Sequence, residues 1–200
     1  MIIHILASGS SGNVALVNHS FLIDAGKSFN WTLKKLNHKL PDAIIITHEH
    51  LDHARAVRHF LQRAVDIFLT KGTADALGLV NRYNLHTFKA GEHFNLGGVD
   101  ILPFNTFHDA AEPVGFILRQ FGERVLFLTD SGKIPNLKGS FDKIFIEANY
   151  STKVLLNSDT NRALKQRILN NHLSIEQVQS FLAQHSNAEV TLLHQSLIHL

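Results

Sequence analysis

The run His48-Glu49-His50-Leu51-Asp52-His53 packs four potential metal donors, His48, His50, Asp52 and His53, into six residues. It follows the β-branched stretch Ile44-Ile45-Ile46-Thr47, which predicts a strand. Side chains two apart on extended backbone point the same way, so His48 and His50 leave the strand end together. Asp52 and His53 follow within one turn of an expected helix start. Two imidazoles for one ion, and a carboxylate plus an imidazole for a second, suit Zn²⁺, Mn²⁺ or Fe in an oxygen/nitrogen site. The bland alternative is a solvated, His-rich loop.

Three distant residues stand ready to complete such a site: His108 in Phe107-His108-Asp109, Asp130 in Thr129-Asp130-Ser131-Gly132, and His194 in Leu192-Leu193-His194. Each lies just past a run of apolar strand residues. Strand ends are rigid and face a common edge, and a carboxylate such as Asp130 can bridge two cations. Seven ligands would then hold two metals. Taken singly, His108 and His194 read as packing or turn histidines and Asp130 as a turn acid; only the ensemble points to metal. With no cysteine in the chain, disulfides and thiolate ligands are excluded, which leaves imidazole and carboxylate.

The elements that must position these residues are legible in outline. Short β-branched runs predict strands at Ile2 to Ala7, Val14 to Val17, Phe21 to Asp24, Ala43 to Thr47, Ile67 to Thr70, Phe94 to Leu96, Val99 to Phe104, Val114 to Arg119, Val125 to Thr129, Lys143 to Glu147 and Glu189 to Leu193. Apolar residues at helical spacing predict helices over Trp31 to Leu40, Asp52 to Ala64, Asn161 to Asn170 and Ile175 to Ala183. The last is opened by a capping box, Ser174 with Gln177 three residues on. Strand-rich halves followed by helices fit an α/β protein of two mostly antiparallel or mixed sheets with helices outside.

Composition bounds the rest. Two hundred residues, 44% hydrophobic and 18% charged, with no repeat or low-complexity tract, fit one globular domain over 1–200. No apolar stretch approaches the roughly 20 residues that cross a bilayer, so no membrane partner is expected. Met1 to Leu6 lacks a basic leader and runs into a Gly/Ser turn; it reads as a strand, and the expected location is cytoplasmic. A net charge of +2 is too mild to mark a nucleic-acid module by itself.

The hexapeptide resembles the signature of the metallo-β-lactamase superfamily, and His108, Asp130 and His194 fall in the order of its later motifs. Further segments resemble its YycJ (VicX, WalJ) branch: Ser8-Gly9-Ser10-Ser11-Gly12-Asn13, His108-Asp109-Ala110-Ala111-Glu112-Pro113-Val114-Gly115, Thr129-Asp130-Ser131-Gly132, Glu147-Ala148-Asn149 and His172-Leu173-Ser174. This resemblance implies an αββα sandwich, two mixed β-sheets with helices on the outer faces. It implies His48, His50 and His108 on a first metal, Asp52, His53 and His194 on a second, and Asp130 between them. It also implies a metal-dependent hydrolase, a phosphodiesterase or exonuclease acting on DNA or RNA ends with two divalent ions, Zn²⁺ before Mn²⁺ or Fe. Asn171 stands before His172 where relatives tend to have Gly, Gln195 follows His194, and the chain reaches Leu200 where relatives usually run longer.

In that reading the metals lower the pKa of a bridging water to about 7. Asp52 orients the resulting hydroxide, and His172 protonates the leaving alkoxide as general acid. Ser10, Ser11 and Asn13 lie in a loop whose two glycines permit close approach and which could meet a substrate phosphate; the alternative is an ordinary tight turn between the first two strands. The basic groups Lys34/Lys35/Lys39, Arg55/Arg58/Arg63 and Arg162/Lys165/Arg167 could touch a nucleic-acid backbone, though helix surfaces carry such charges for solubility. Two other readings use the same ligands: a small-molecule hydrolase (cyclic-phosphate diesterase, glyoxalase II-like thioesterase or lactonase) with a closed pocket, and a non-catalytic metal-binding protein. His4, His19, His38, His59, His86, His93, His185 and His199 have no partner motif and are assigned to surface or packing.

Overall fold

Alternate residues of a strand face opposite ways, and here each way meets a different apolar layer. The computed structural model describes residues 1–80 and 82–195, so His199 lies outside the described residues. Its first sheet has six strands in the order β1 (Ile3–Ala7), β2 (Val14–Val17), β3 (Phe21–Ile23), β4 (Ala43–Ile45), β5 (Asp66–Thr70) and β6 (Leu85–Phe88). Pairing is antiparallel from β1 to β3 and parallel from β3 to β6. The second sheet has six strands: β7 (Phe94–Leu96), β8 (Val99–Asn105), β9 (Val114–Gln120), β10 (Glu123–Leu128), β11 (Lys143–Glu147) and β12 (Glu189–Leu193). It is antiparallel from β7 to β10 and parallel from β10 to β12.

Phe21, Ile23 and Ile45 of the first sheet pack against Phe116, Leu118, Val125 and Phe127 of the second, forming the layer between them. Leu22, Ile44 and Ile46 point the other way, toward Phe29, Ala54, Val57, Phe60 and Ala74. Those belong to or flank the helices α1 (Phe29–Lys35), α2 (Leu51–Ala54), α3 (Val57–Leu61) and α4 (Lys71–Ala76). On the far side Ile117, Leu126, Leu128, Ile144 and Ile146 meet Leu173 and Val178. The helices there are α5 (Thr152–Asn157), α6 (Arg162–Asn171) and α7 (Ile175–Leu182). The result is the helix–sheet–sheet–helix sandwich implied by the resemblance, with both sheets mixed. Among the described residues, no helix is long and apolar enough to cross a membrane.

All eleven expected strands form, and the expected helix over Asp52 to Ala64 is corrected to two. In a continuous helix the Ala56 N–H would bond the Asp52 carbonyl four residues back. That carbonyl instead accepts from Asn13 N at 2.7 Å, the His53 carbonyl accepts from Ala25 N at 2.7 Å, and Ala56 N donates to Ala25 O at 2.9 Å. The β3–α1 connection thus lies across the first turn of α2 and breaks the ladder. Gly26 permits this approach, since a Cβ there would stand 1.7 Å from Asp52 O. The helix expected to reach Leu40 stops at Lys35 because Asn37 and His38 adopt φ of 52° and 63°, and His38 N returns to Leu33 O at 2.8 Å. The capping box at Ser174 and Gln177 is present. Elements α4, α5 and β6 carry too few periodic apolar residues to register in sequence.

Candidate metal centre

All the expected donors emerge at one end of the sandwich. His48 follows β4, His108 follows β8, Asp130 follows β10 and His194 follows β12, while Asp52 and His53 sit in the first turn of α2. The sheets are joined at this end by Val114 N donating to Thr47 O at 3.0 Å. Three groups of potential ligand atoms, His48/His50/His108, Asp52/His53/Asp130/His194 and Asp130/Glu147/His172/His194, each lie within 4.8 Å of one another. Asp130 stands between the first two. Its Oδ2 is 3.4 Å from His53 Nε2, 3.5 Å from His108 Nε2 and 3.8 Å from His48 Nε2, and its Oδ1 is 4.0 Å from His194 Nε2. Asp52 Oδ2 lies 3.3 Å from His194 Nε2 and 3.6 Å from His53 Nε2.

The outward-facing ring nitrogens decide which tautomers are present. A carbonyl or carboxylate oxygen can only accept. His53 Nδ1 therefore donates to Asp24 Oδ2 at 2.7 Å, His108 Nδ1 to Asn171 O at 3.0 Å, and His50 Nε2 to Asp109 O at 3.2 Å. Thr47 Oγ1 gives its own proton to Asp24, at 2.9 Å, and so accepts from His48 Nδ1 at 3.1 Å. The Asn149 amide sits 2.7 Å from His194 Nδ1. When the rings of His48, His50 and His108 are neutral, their opposite nitrogens are then bare lone pairs aimed inward, the arrangement by which proteins orient metal-binding histidines, while His53 Nε2 meets the Asn13 amide nitrogen at 3.0 Å.

That inward set suits a cation and little else. His50 Nδ1 and His108 Nε2 face each other at 3.1 Å; with the outer protons placed as above, two lone pairs would meet there. Among the described residues, buried His48 Nε2 and Asp130 Oδ1 have no hydrogen-bond partner, a costly state for polar atoms that a coordinated ion would relieve. Burial, with the neighbouring His53, holds His48 well below the ordinary imidazole range, so its ring is neutral. Burial likewise keeps His108 low against the pull of Asp130. Burial opposes charge on Asp130, but His53 and His194 outweigh it and hold its carboxyl far below the usual range. With His48 and His108 kept neutral by burial beside the ionised Asp130, the donor set suits a divalent metal.

His172 lies beside this cluster at the junction of α6 and α7. Its ring is stacked 5.5 Å from that of His194 and stands 5.2 Å from that of His108. Its Nδ1 donates to Glu147 Oε2 at 3.0 Å. Glu147, fully buried, also accepts from Ser131 N at 2.5 Å and Leu173 N at 3.2 Å through Oε1. Burial disfavours charge on the His172 ring, but the Glu147 hydrogen bond wins and raises its pKa.

The Ser8–Asn13 loop divides. Ser10 and Ser11 are exposed, and Ser11 Oγ accepts from Lys27 Nζ at 2.8 Å. Asn13 is 5% exposed and turned inward: its Oδ1 accepts from Gly9 N at 2.8 Å, and its Nδ2 reaches Asp52 O at 3.2 Å. Asn13, expected to meet substrate, here ties the loop to α2, its Nδ2 also lying 3.0 Å from His53 Nε2. Of the basic groups, Arg58 donates to Leu77 O and Lys165 to Leu156 O and Ser158 O, so both are tied to the fold. Arg167 reaches Asp109 Oδ2 at 2.8 Å, next to the cluster. The remaining described histidines lie elsewhere, for example His86 against Asp66 and His185 against Phe181.

Asp24 and the pairing of Glu147 with His172 escaped the sequence reading. Asp24 reads there as the last residue of a strand, and only φ of 62° turns it beneath His53. Glu147 and Asn149 belong to a recognised motif whose partners only the fold brings near.

The model of the Beta-lactamase superfamily domain matches residues 19–195. Exodeoxyribonuclease WalJ of Streptococcus pneumoniae serotype 2 (strain D39 / NCTC 7466) is 34% identical over 193 residues, covering 86% of this chain and 72% of that protein. Exodeoxyribonuclease YycJ of Bacillus anthracis is 28% identical over 184 residues, covering 82% and 69%. Among solved structures, the metallo-beta-lactamase fold protein YhfI from Bacillus subtilis superposes with a TM-score of 0.75 at 15% identity, over 99% of this chain and 87% of that one.

Proposed function

The chain belongs to the β-lactamase superfamily and is a metal-dependent hydrolase, and from that premise we propose that it is an exodeoxyribonuclease working with two divalent ions. The observation that carries the metal part is the pair of inward lone pairs on His50 and His108, 3.1 Å apart beside a buried, unsatisfied His48 Nε2 and Asp130 Oδ1. His48, His50 and His108 would hold one ion and Asp52, His53 and His194 the other, with the Asp130 carboxylate standing between the two groups. Zn²⁺ is the preferred ion, since three neutral imidazoles suit it better than harder cations. The substrate class rests on the relatives, both named exodeoxyribonucleases, and on an open rim: Phe107 is 44% exposed, and exposed Lys133 and Arg167 lie against Phe107 and Asp109 beside the cluster.

When bound, the ions supply hydroxide near neutral pH and offset charge on the phosphoryl oxygens. The chain's own groups do the rest. Asp52, ionised because its contacts with His194 and His53 outweigh its burial, orients the nucleophile. His172, protonated through Glu147, gives its Nε2 proton to the departing alkoxide and then recovers one from solvent. Ser10 and Ser11 face the phosphate, with Lys27 beside Ser11.

Two results follow. Asp24→Ala frees the His53 ring from its 2.7 Å partner and is expected to weaken metal affinity about 10–100-fold, measured by titration against a competing chelator. An unchanged affinity would remove Asp24 from the account. A linear duplex is expected to be degraded from its ends by the metal-loaded protein, while a covalently closed circle of the same sequence stays intact. Equal loss of both would contradict end-directed action.

A further inference from the structure

An aromatic ring exposed beside a catalytic centre needs an explanation, because water contact with that much apolar surface is unfavourable. Phe107 is such a residue. It directly precedes the proposed ligand His108, and 44% of it remains exposed. Most other phenylalanines of the chain are in the core, among them Phe21, Phe60, Phe116 and Phe127. Its backbone is not loose: Phe107 N donates to Ser131 Oγ at 3.1 Å, and Gly132 N donates to Phe107 O at 2.6 Å. The turn that carries Asp130 therefore holds the Phe107 backbone at both its N–H and its carbonyl.

Lys133 completes the arrangement. Its ammonium stands 3.8 Å from the centre of the Phe107 ring, while its own carbonyl accepts from Ser131 Oγ at 2.7 Å. Arg167 lies on the same rim, held by Asp109. An exposed aromatic ring on a fixed backbone, a cation touching it and a second cation nearby have the chemistry of one nucleotide: a base stacks on the ring while its phosphate meets the ammonium. Small diesters without a base would leave the ring in water.

We propose that Phe107 and Lys133 form a nucleotide subsite, in which a base at the end of the DNA stacks on Phe107 and an adjacent phosphate pairs with Lys133. Stacking is tolerant of base identity, so this subsite grips strand ends without reading sequence. The inference rests on the exodeoxyribonuclease reading and refines how that site holds its substrate.

The test is fluorescence of 2-aminopurine placed at the terminal or penultimate positions of DNA with slowly cleaved phosphorothioate linkages, alongside steady-state kinetics on ordinary DNA. The native protein is expected to quench the probe at one of these positions. Phe107→Ala should abolish the quench and raise KM roughly 10-fold to 100-fold, given typical base–aromatic stacking; Phe107→Trp should restore both. Lys133→Ala should raise KM and flatten its dependence on salt. If the native protein binds and degrades DNA but Phe107→Ala keeps the quench and KM, the subsite is wrong and the nuclease reading stands. If Phe107→Ala loses both but Phe107→Trp does not restore them, the ring is a structural support and the subsite is likewise wrong. If the native protein neither binds nor degrades DNA, the nuclease reading itself falls, and the subsite with it.

Discussion

Asp130→Asn is expected to give a folded protein that no longer holds two ions and has lost about 10³-fold or more of its DNA hydrolysis. The side chain keeps its shape, but the charge that faces His48, His53, His108 and His194 at 3.4 to 4.0 Å is gone. Each factor of ten in rate is about 1.4 kcal/mol, and metal stabilisation of transition-state charge is worth several kcal/mol, which sets the scale. Elemental analysis after dialysis and the rate on a 5′-phosphorylated duplex check the two halves separately. Protons compete for the same nitrogens. In the metal-free protein the His53 and His194 pKa values are raised, because burial is outweighed by Asp130 and, for His53, by Asp24. Metal uptake must displace those protons, so affinity is expected to rise with pH, and less steeply in Asp130→Asn. A variant that retained two ions and normal turnover would remove Asp130 from the centre of the account.

His172→Ala should leave metal content unchanged and lower kcat on DNA about 10²–10⁴-fold, the usual range for loss of a general acid. Its distinguishing mark is dependence on the leaving group. A DNA alkoxide needs a proton, whereas p-nitrophenolate departs without one, so hydrolysis of bis-p-nitrophenyl phosphate should fall far less. Glu147→Gln gives the matching pH result. Burial works against protonating His172, and the Glu147 hydrogen bond overcomes it; without the carboxylate the imidazolium is lost at lower pH. Because the acid form is the active one, the alkaline limb of the kcat profile should move to lower pH in Glu147→Gln. An equal loss on both substrates would assign His172 a structural role.

How much of this was legible in sequence follows from the physics of each signal. His48 to His53 are contiguous, so spacing alone put them on one strand end and one helix turn. His108, Asp130 and His194 each follow an apolar run, which placed them at strand ends, and the resemblance assigned them to one edge. Asp24 is different: its role depends on a backbone turn at φ 62° and on a partner twenty-nine residues away. Asn13 looked substrate-facing because Gly-rich loops often cradle phosphate, yet its amide closes the loop onto Asp52 O. The broken helix was illegible for a related reason. Apolar spacing continues through Arg55 and Ala56, while the carbonyls that would sustain the helix are bonded to Asn13 and Ala25. Contacts made across the chain leave no periodic trace.

The most direct test of the account is the digestion of a 5′-phosphorylated linear duplex by the protein before chelation, after chelation, and after reloading with Zn²⁺ or Mn²⁺. Release of nucleotides from the ends that chelator abolishes and metal restores is the expected result, with Asp130→Asn inactive throughout. Intact DNA alongside metal-dependent cleavage of bis-p-nitrophenyl phosphate would contradict it, leaving a metallohydrolase whose substrate is a small molecule.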